Sequence, residues 1–171
     1  MNKVKHLFLV LLLVMAQLPL CATNIELAWS FNQGDAKALQ GTVSEEGLFS
    51  YATSSLGSDL EFLGTNKAGS LTVTKVQPKV KASNNGDGNA ISFSLKTKKG
   101  LSLSVKSFSF DACKLGTNGG SIDVVAEAGG KSYELLKDES PQNAKNDPYF
   151  THYKADLSQI PATEGEWVIK V

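Results

Sequence analysis

The sequence contains no arginine, and its only histidines are His6 and His152. All 17 basic residues are lysines, and 17 acidic residues balance them, so the formal net charge is zero at neutral pH. Proteins that bind nucleic acid rely on basic patches and often on arginine forks. Lysine also lacks the planar fork that recognises phosphate in a bidentate way. The composition therefore argues against a nucleic-acid-binding protein.

Cysteine is almost as rare, with one residue at position 21 and one at position 113. Cys21 falls in the amino-terminal segment that we expect to be processed, so Cys113 has no partner for an internal disulfide. Free cysteines are usually small buried hydrophobic residues, and Lys114 is the one activating neighbour in sequence. We expect Cys113 to be structural rather than reactive.

Only one long apolar run is present, Leu7–Leu20, and it follows Lys3 and Lys5. A membrane span needs roughly 20 apolar residues, so this run is too short. The positive start, the apolar stretch and the small residue Ala22 are typical of a cleaved signal peptide. The sequence predicts a signal peptide over residues 1–22 and a chain exported to the periplasm, the cell surface or the medium, with no membrane span.

The same segment leaves an alternative open. Leu18–Cys21 is similar to a lipoprotein box, in which a lipidated cysteine becomes the new amino terminus, although Leu20 is large for that pattern. We favour ordinary secretion over a lipid anchor at Cys21. Removing Lys3 and Lys5 from the 17 lysines leaves 15 against 17 acids, a net charge of −2.

Alternation of apolar and polar residues dominates the remaining chain and predicts half-buried strands. It is clearest over 25–31, 91–96 and 101–106. The apolar phase then shifts by one residue near Lys106 and Ser107, as happens at a β-bulge or where a strand changes sheets. No segment after residue 22 has a helical stripe, although residues 36–40 are compatible with one turn.

Further strands are predicted at 46–51, 59–63, 70–76, 120–128, 132–137, 149–157 and 166–171. Clusters of Gly, Asn, Asp and Ser separate them, and Gly129-Gly130 is the clearest two-residue hairpin turn. Many short strands with frequent turns predict an antiparallel β-sandwich, formed as a single domain over residues 23–171. Residues 166–171 have the pattern of a strand interior with nothing after it, which predicts an exposed edge or a missing last strand.

No catalytic motif emerges from the acidic residues. A glycosidase needs two carboxylates about 5–10 Å apart, and 17 acids provide many unremarkable pairs. Asp111 and Asp123 lie near predicted strand ends, where they also suit turn capping. His152 belongs to no Ser-His-Asp or Cys-His arrangement. We therefore assign no catalytic residue.

Residues 85–89, Asn-Gly-Asp-Gly-Asn, place oxygen-bearing side chains at alternate positions, as a calcium loop does. Ala90 stands where the calcium motif has glycine, and no glutamate follows at the required spacing. Asn-Gly and Asp-Gly are strong turn formers. We predict a turn here, with no metal and no other cofactor.

Aromatic residues are the usual platforms for sugar rings. Trp29 and Trp167 lie in phase with apolar strand positions, so we predict that both belong to the core. Tyr51 and the pair Tyr149 and Tyr153 are better candidates for exposure, although core packing suits them equally well.

The phase of the strand predicted at 149–157 decides which of its residues are accessible. If Phe150 faces the core, His152 faces the core as well, and Tyr149 and Tyr153 face solvent. The opposite phase buries both tyrosines. The residues near Phe150 leave both phases open.

Several segments together resemble a known kind of module. They are Lys99–Leu101, Ser107–Cys113, Leu115–Val124, Thr151–Tyr153 and Asp156–Ser158. They resemble jelly-roll (galactose-binding-like) β-sandwich modules in secreted proteins of Bacteroidetes-type gut bacteria, some attached to pectate-lyase-like or other polysaccharide-degrading domains. Such modules continue past the strand that contains Trp167, so the resemblance implies that this chain is truncated.

The resemblance implies a non-catalytic module that binds polysaccharide through a shallow surface. On that basis we expect Tyr149, His152 and Tyr153 to contact the ligand, with Asn118 and Asp123 as hydrogen-bonding neighbours. One alternative is a structural or protein-interaction module, which predicts an exposed apolar or unpaired edge near residues 166–171. A small secreted lyase or hydrolase is a further alternative. The sequence leaves the oligomeric state open.

Overall fold

The computed structural model describes residues 23–79, 87–115 and 120–171. The predicted signal peptide at 1–22, the lipidation candidate Cys21 and the predicted contact Asn118 lie outside these residues. In the described ranges the helical elements are three short 3₁₀ turns, at Ala36–Leu39, Glu46–Leu48 and Asp87–Asn89. Antiparallel strands make up most of the rest, which confirms the predicted all-β class.

The described residues form thirteen strands. They are β1 (Leu27–Trp29), β2 (Gly41–Val43), β3 (Phe49–Leu56), β4 (Leu60–Ala68), β5 (Leu71–Pro78), β6 (Ile91–Thr97), β7 (Ser102–Leu103), β8 (Ser107–Ala112), β9 (Ile122–Ala128), β10 (Lys131–Glu139), β11 (Thr151–Asp156), β12 (Thr163–Glu164) and β13 (Glu166–Lys170). Five of them make a sheet in the order β10-β9-β13-β6-β3. The others pair as two-stranded ribbons: β1–β2, β4–β5, β7–β12 and β8–β11.

The core lies between the five-stranded sheet and the β1 and β8–β11 ribbons, in a sandwich-like arrangement. Successive side chains of a strand point to opposite faces, so one face of each strand packs into the core. β6 buries Phe93 and Leu95, and β13 buries Trp167 and Ile169. The opposing layer contributes partly buried apolar side chains such as Phe108. Burial of these residues, at roughly 25 cal/mol per Å² of apolar surface, is the main stabilising term.

A row of aromatic rings connects the two layers through the core. Trp29 packs edge-on against Phe93 with ring centroids 4.8 Å apart, and Phe93 lies 5.4 Å from Phe108. Phe108 then contacts Phe110, which stacks on Tyr153 at 5.0 Å. Tilted and edge-to-face pairs add about 0.5–1.5 kcal/mol each beyond their buried area. The row fixes β8 and β11 on the five-stranded sheet.

The predicted interruption near Lys106 and Ser107 is confirmed. β7 ends at Leu103 and pairs with β12, whereas β8 begins at Ser107 and pairs with β11. The backbone between the two strands is also hydrogen-bonded, because the Lys106 carbonyl accepts a hydrogen bond from Leu157 N at 2.9 Å. The change of strand partner explains the one-residue shift of the apolar pattern.

The predicted Gly129-Gly130 hairpin is also confirmed. Ala128 pairs with Lys131, so two residues connect β9 to β10. Both glycines have positive φ angles, 57° and 73°. A two-residue loop with this backbone matches the twist of the flanking strands, and glycine adopts it without steric cost.

The predicted edge at residues 166–171 is wrong. β13 is the central strand of the five-stranded sheet and is hydrogen-bonded to β9 on one side and β6 on the other. Val171 continues the ladder by exchanging two backbone hydrogen bonds with Ile91. The alternation correctly indicated a strand interior, but it contains no information about neighbouring strands.

Candidate functional site

The β8–β11 ribbon turns an apolar face to the core and a polar face to solvent. Strand alternation places Phe108 and Phe110 inward on β8 and Tyr153 and Ala155 inward on β11. The six exposed side chains on the other side are Ser107, Ser109, Asp111, His152, Lys154 and Asp156. We call these six residues the ribbon face.

The strand register pairs the residues of the ribbon face across the ladder, and His152 lies opposite Asp111. Their side chains form a hydrogen bond of 2.8 Å between Nδ1 and Oδ1. A carboxylate only accepts hydrogen bonds, so Nδ1 is the donor in this contact. Both side chains are more than 60% exposed, so the contact orients the imidazole and adds little stability.

A depression of about 480 Å³ occupies one end of the ribbon face and is open to solvent. Its lining consists of three hydroxyl groups, two ammonium groups and one carboxylate. The residues are Ser104, Lys106, Ser107, Lys154, Asp156 and Ser158. We call this depression the ribbon trough.

Asp156 supplies the carboxylate of the ribbon trough. Its Oδ1 accepts a hydrogen bond from Ser158 N at 2.9 Å. This backbone bond, with smaller contributions from the Ser158 side chain and the Lys154 charge, lowers the pKa of Asp156 below its usual range. Asp156 is therefore ionised near neutral pH and accepts hydrogen bonds from hydroxyl donors.

Among the residues that the structure describes, no carboxylate lies within salt-bridge distance of either lysine of the trough. Lys106 Nζ donates to the neutral amide oxygen of Asn24 at 3.1 Å. Lys154 forms no salt bridge in the described part of the chain, although its charge acts on the Asp156 carboxyl. Both ammonium groups therefore keep donor capacity for a ligand.

Tyr149 lies just before β11 and is 38% exposed. Its ring packs on the turn of the β4–β5 ribbon, where a Cβ added to Gly69 would lie 2.5 Å from Tyr149 Cε2. Gly69 also has a φ of 59°, so glycine is required there for two reasons. The Tyr149 ring is a partly exposed aromatic surface supported by backbone.

Tyr153 is not accessible, so the prediction that it contacts a ligand is wrong. It is 5% exposed and stacks on Phe110. Burial raises the pKa of its phenol. β11 begins only at Thr151, so Tyr149 and Tyr153 do not share a strand face, whereas His152 does face solvent.

Asp123 belongs to the five-stranded sheet and not to the ribbon face. Its Oδ1 accepts a hydrogen bond from Asp138 N at 2.7 Å. Asp138 has a φ of 54° at an irregularity of the β9–β10 ladder. Asp123 therefore stabilises a strained bulge, and its predicted role beside a ligand stays a prediction without geometric support.

The outer face of the five-stranded sheet has a second open depression, of about 380 Å³. It is lined by Glu127, Ala128, Gly130, Lys131, Ser132, Glu166 and Val168, and we call it the sheet depression. Three charged side chains on this face pair with one another. Lys170 Nζ lies 2.7 Å from Glu127 Oε1 and 2.9 Å from Asp87 Oδ1, and these contacts raise the pKa of Lys170.

The remaining aromatic candidates are structural. Trp167 is completely buried and donates its indole N–H to Leu103 O at 3.2 Å, and Trp29 packs against the core, so the core prediction for both is confirmed. Tyr51 is half-buried, and a side-chain hydrogen bond with Glu166 raises its pKa. Its phenol is therefore engaged within the sheet.

Metal and thiol chemistry find no support in the described ranges. No group of three or more His, Cys, Asp or Glu side chains there is arranged to hold a metal ion. Asp87, from the calcium-like segment, pairs with Lys170 instead. Cys113 is half-buried, and burial raises the pKa of its thiol, which lowers the fraction of reactive thiolate. None of the described helical turns is long and apolar enough to cross a membrane.

Sequence reasoning missed most of the ribbon trough. The useful signal is the alternation after Thr151, where His152, Lys154 and Asp156 interleave with buried neighbours. Read over that whole length, the pattern favours the phase in which these three face solvent. The contact between Asp111 and His152 depends on the register of β8 with β11, and the sequence does not reveal that register.

Comparisons of this chain with protein-family models, with curated proteins and with solved structures found no match.

Proposed function

We propose that this chain is a non-catalytic carbohydrate-binding module, exported to the periplasm, the cell surface or the medium. We further propose that its sandwich-like fold is of jelly-roll type, as the resemblance described above implies. The ligand is a polysaccharide held against the ribbon trough and the neighbouring His152. Tyr149 is the candidate aromatic contact beyond the ribbon.

The observation that supports this function most is the chemistry of the ribbon trough. Saccharides have many hydroxyl groups, each both donor and acceptor, and open sites recognise them through rigid polar side chains. The trough offers the Asp156 carboxylate as an acceptor, two ammonium groups as donors and three hydroxyl groups that do either. Most of these side chains lie on or beside a strand ladder that the core fixes in place.

The test is a glycan screen of the full chain, followed by a variant that fills the trough. Ser107 is exposed on β8 and lines the trough, so Ser107→Tyr places a ring in it while suiting a strand. We expect this variant to weaken binding by roughly tenfold or more, which is about 1.4 kcal/mol. Affinity electrophoresis or calorimetry measures the change.

Ser132→Tyr is the matched control, because Ser132 is an exposed strand residue in the sheet depression. It should leave glycan affinity unchanged. Circular dichroism establishes that both variants are folded. If the folded wild-type chain binds no glycan, or if both variants bind as the wild type does, the proposed function at this site is wrong.

A further inference from the structure

The balance of charge in the ribbon trough bears on the kind of saccharide that it would accept. Lys106 and Lys154 contribute two positive charges to the lining, and Asp156 contributes the one negative charge. Neither ammonium group has a carboxylate partner within salt-bridge distance among the described residues. The trough therefore presents a net positive charge to a ligand.

The sheet depression shows the opposite arrangement. Two carboxylates, Glu127 and Glu166, line it together with the single cation Lys131. Glu127 is also paired with Lys170, so the sheet depression offers an anionic ligand no excess of positive charge, whereas the ribbon trough does. The full sequence has no net charge, and the chain without residues 1–22 carries −2, so any attraction of anions to the trough comes from its own lysines and not from the charge of the whole molecule.

We propose that the ribbon trough binds an acidic saccharide, one that carries carboxylate or sulfate groups. The anionic group lies between the ammonium groups of Lys106 and Lys154, and neighbouring sugar hydroxyls donate to Asp156. This inference rests on the proposed carbohydrate-binding function and narrows its ligand. Asp156 makes the site selective, because its ionised carboxylate attracts hydroxyl donors and repels an anion that lacks them.

The experiment compares charged and neutral glycans on the full chain by affinity electrophoresis or calorimetry. The charged set is polygalacturonate, alginate, hyaluronan and heparin. The neutral set is fully methyl-esterified pectin, dextran and laminarin, and inorganic polyphosphate is the polyanion without hydroxyl-bearing sugars. We expect at least one charged glycan to bind roughly tenfold or more tightly than any neutral glycan and than polyphosphate.

Variants then assign the binding to the trough. Lys106→Gln combined with Lys154→Gln should weaken binding of the charged glycan by roughly tenfold or more. Lys67→Gln combined with Lys131→Gln removes the same net charge from exposed positions elsewhere and should change it little. Binding should also weaken when ionic strength rises from about 0.1 M to about 1 M, since the screening length falls from about 10 Å to about 3 Å.

The failures of the two proposals are distinguishable. Binding to neutral glycans alone overturns the acidic-saccharide inference and leaves the proposed function standing. Equal binding of polyphosphate, or equal loss in the two double variants, shows general attraction of anions and also overturns the inference. A folded chain that binds no glycan in either set overturns both.

Discussion

The ribbon face and the outer face of the five-stranded sheet are built from the same kinds of residue but use them differently. On the sheet, charged groups bind one another: Lys170 contacts both Glu127 and Asp87. In the ribbon trough, Lys106 has only a neutral amide partner, and Lys154 has no salt bridge in the described part of the chain. Lys170 on the sheet is therefore neutralised within the molecule, whereas the two lysines of the ribbon trough keep donor capacity for a ligand.

The difference follows from position in the fold. The five-stranded sheet has the central strand β13, whose buried residues Trp167 and Ile169 anchor the core. The β8–β11 ribbon has only two strands and is held in place by one apolar face. Substitutions in the core of the sheet should therefore change stability, whereas substitutions on the ribbon face should change binding with little effect on folding.

The largest effect is expected from Trp167→Ala. Trp167 is completely buried on the central strand, and its indole N–H donates to Leu103 O. Truncating a buried tryptophan costs about 3–5 kcal/mol, through lost burial and the cavity that remains. Chemical denaturation monitored by circular dichroism measures the loss. A change under about 1 kcal/mol would contradict the assignment of β13 as the anchor of the core.

An intermediate effect is expected from Lys170→Met when it is compared with Lys154→Met. The Lys170 side chain is only 20% exposed, and its loss leaves two carboxylates without their partner. We expect about 1 kcal/mol of destabilisation, because both partners are partly solvated. Lys154→Met removes no salt bridge and should stay within about 0.5 kcal/mol of the wild type. Equal losses in urea denaturation would show that the two faces do not differ as described.

Much of the fold could be predicted from the sequence because alternation is a local property. The inward faces of β6 and β13, with Phe93, Leu95 and Trp167, follow directly from period-two patterns. Strand neighbours are set by contacts between distant segments, so the position of β13 between β9 and β6 could not be predicted from the local sequence pattern. β2, which pairs with β1, was missed because Gly41–Val43 is too short to show a pattern.

The site was harder to predict for the same reason. Tyr149 and Tyr153 looked like a pair on one strand, yet Tyr149 precedes β11 and Tyr153 is in the core. The contact between His152 and Asp111 joins residues that are 41 positions apart, and only the register of β8 with β11 creates it. Chemistry that depends on two strands cannot be deduced from the pattern of either one.

The smallest effect concerns the acidity of Asp156, the carboxylate of the ribbon trough. Hydrogen bonding from Ser158 N lowers its pKa below the usual value of 3.8, so NMR titration of its side-chain carboxyl should give a midpoint below that value. Because folding lowers the pKa of Asp156, its ionised carboxylate stabilises the folded state, and this contribution is complete above the unfolded pKa of about 3.9. It disappears as pH falls through the folded pKa.

Ser158→Pro tests the cause of this shift. Ile160 N donates to Leu157 O at 3.0 Å, so Ser158 occupies the second position of a turn, where proline is well accepted. Proline removes the N–H and should return the pKa of Asp156 toward its usual value, whereas Ser158→Ala removes only the hydroxyl and should have the smaller effect. If the two variants titrate alike, the backbone bond is not the main cause. The low pKa of Asp156 would then depend on side chains, such as those of Ser158 and Lys154, that a ligand could displace. The difference between the ribbon trough and the five-stranded sheet would then be smaller than described.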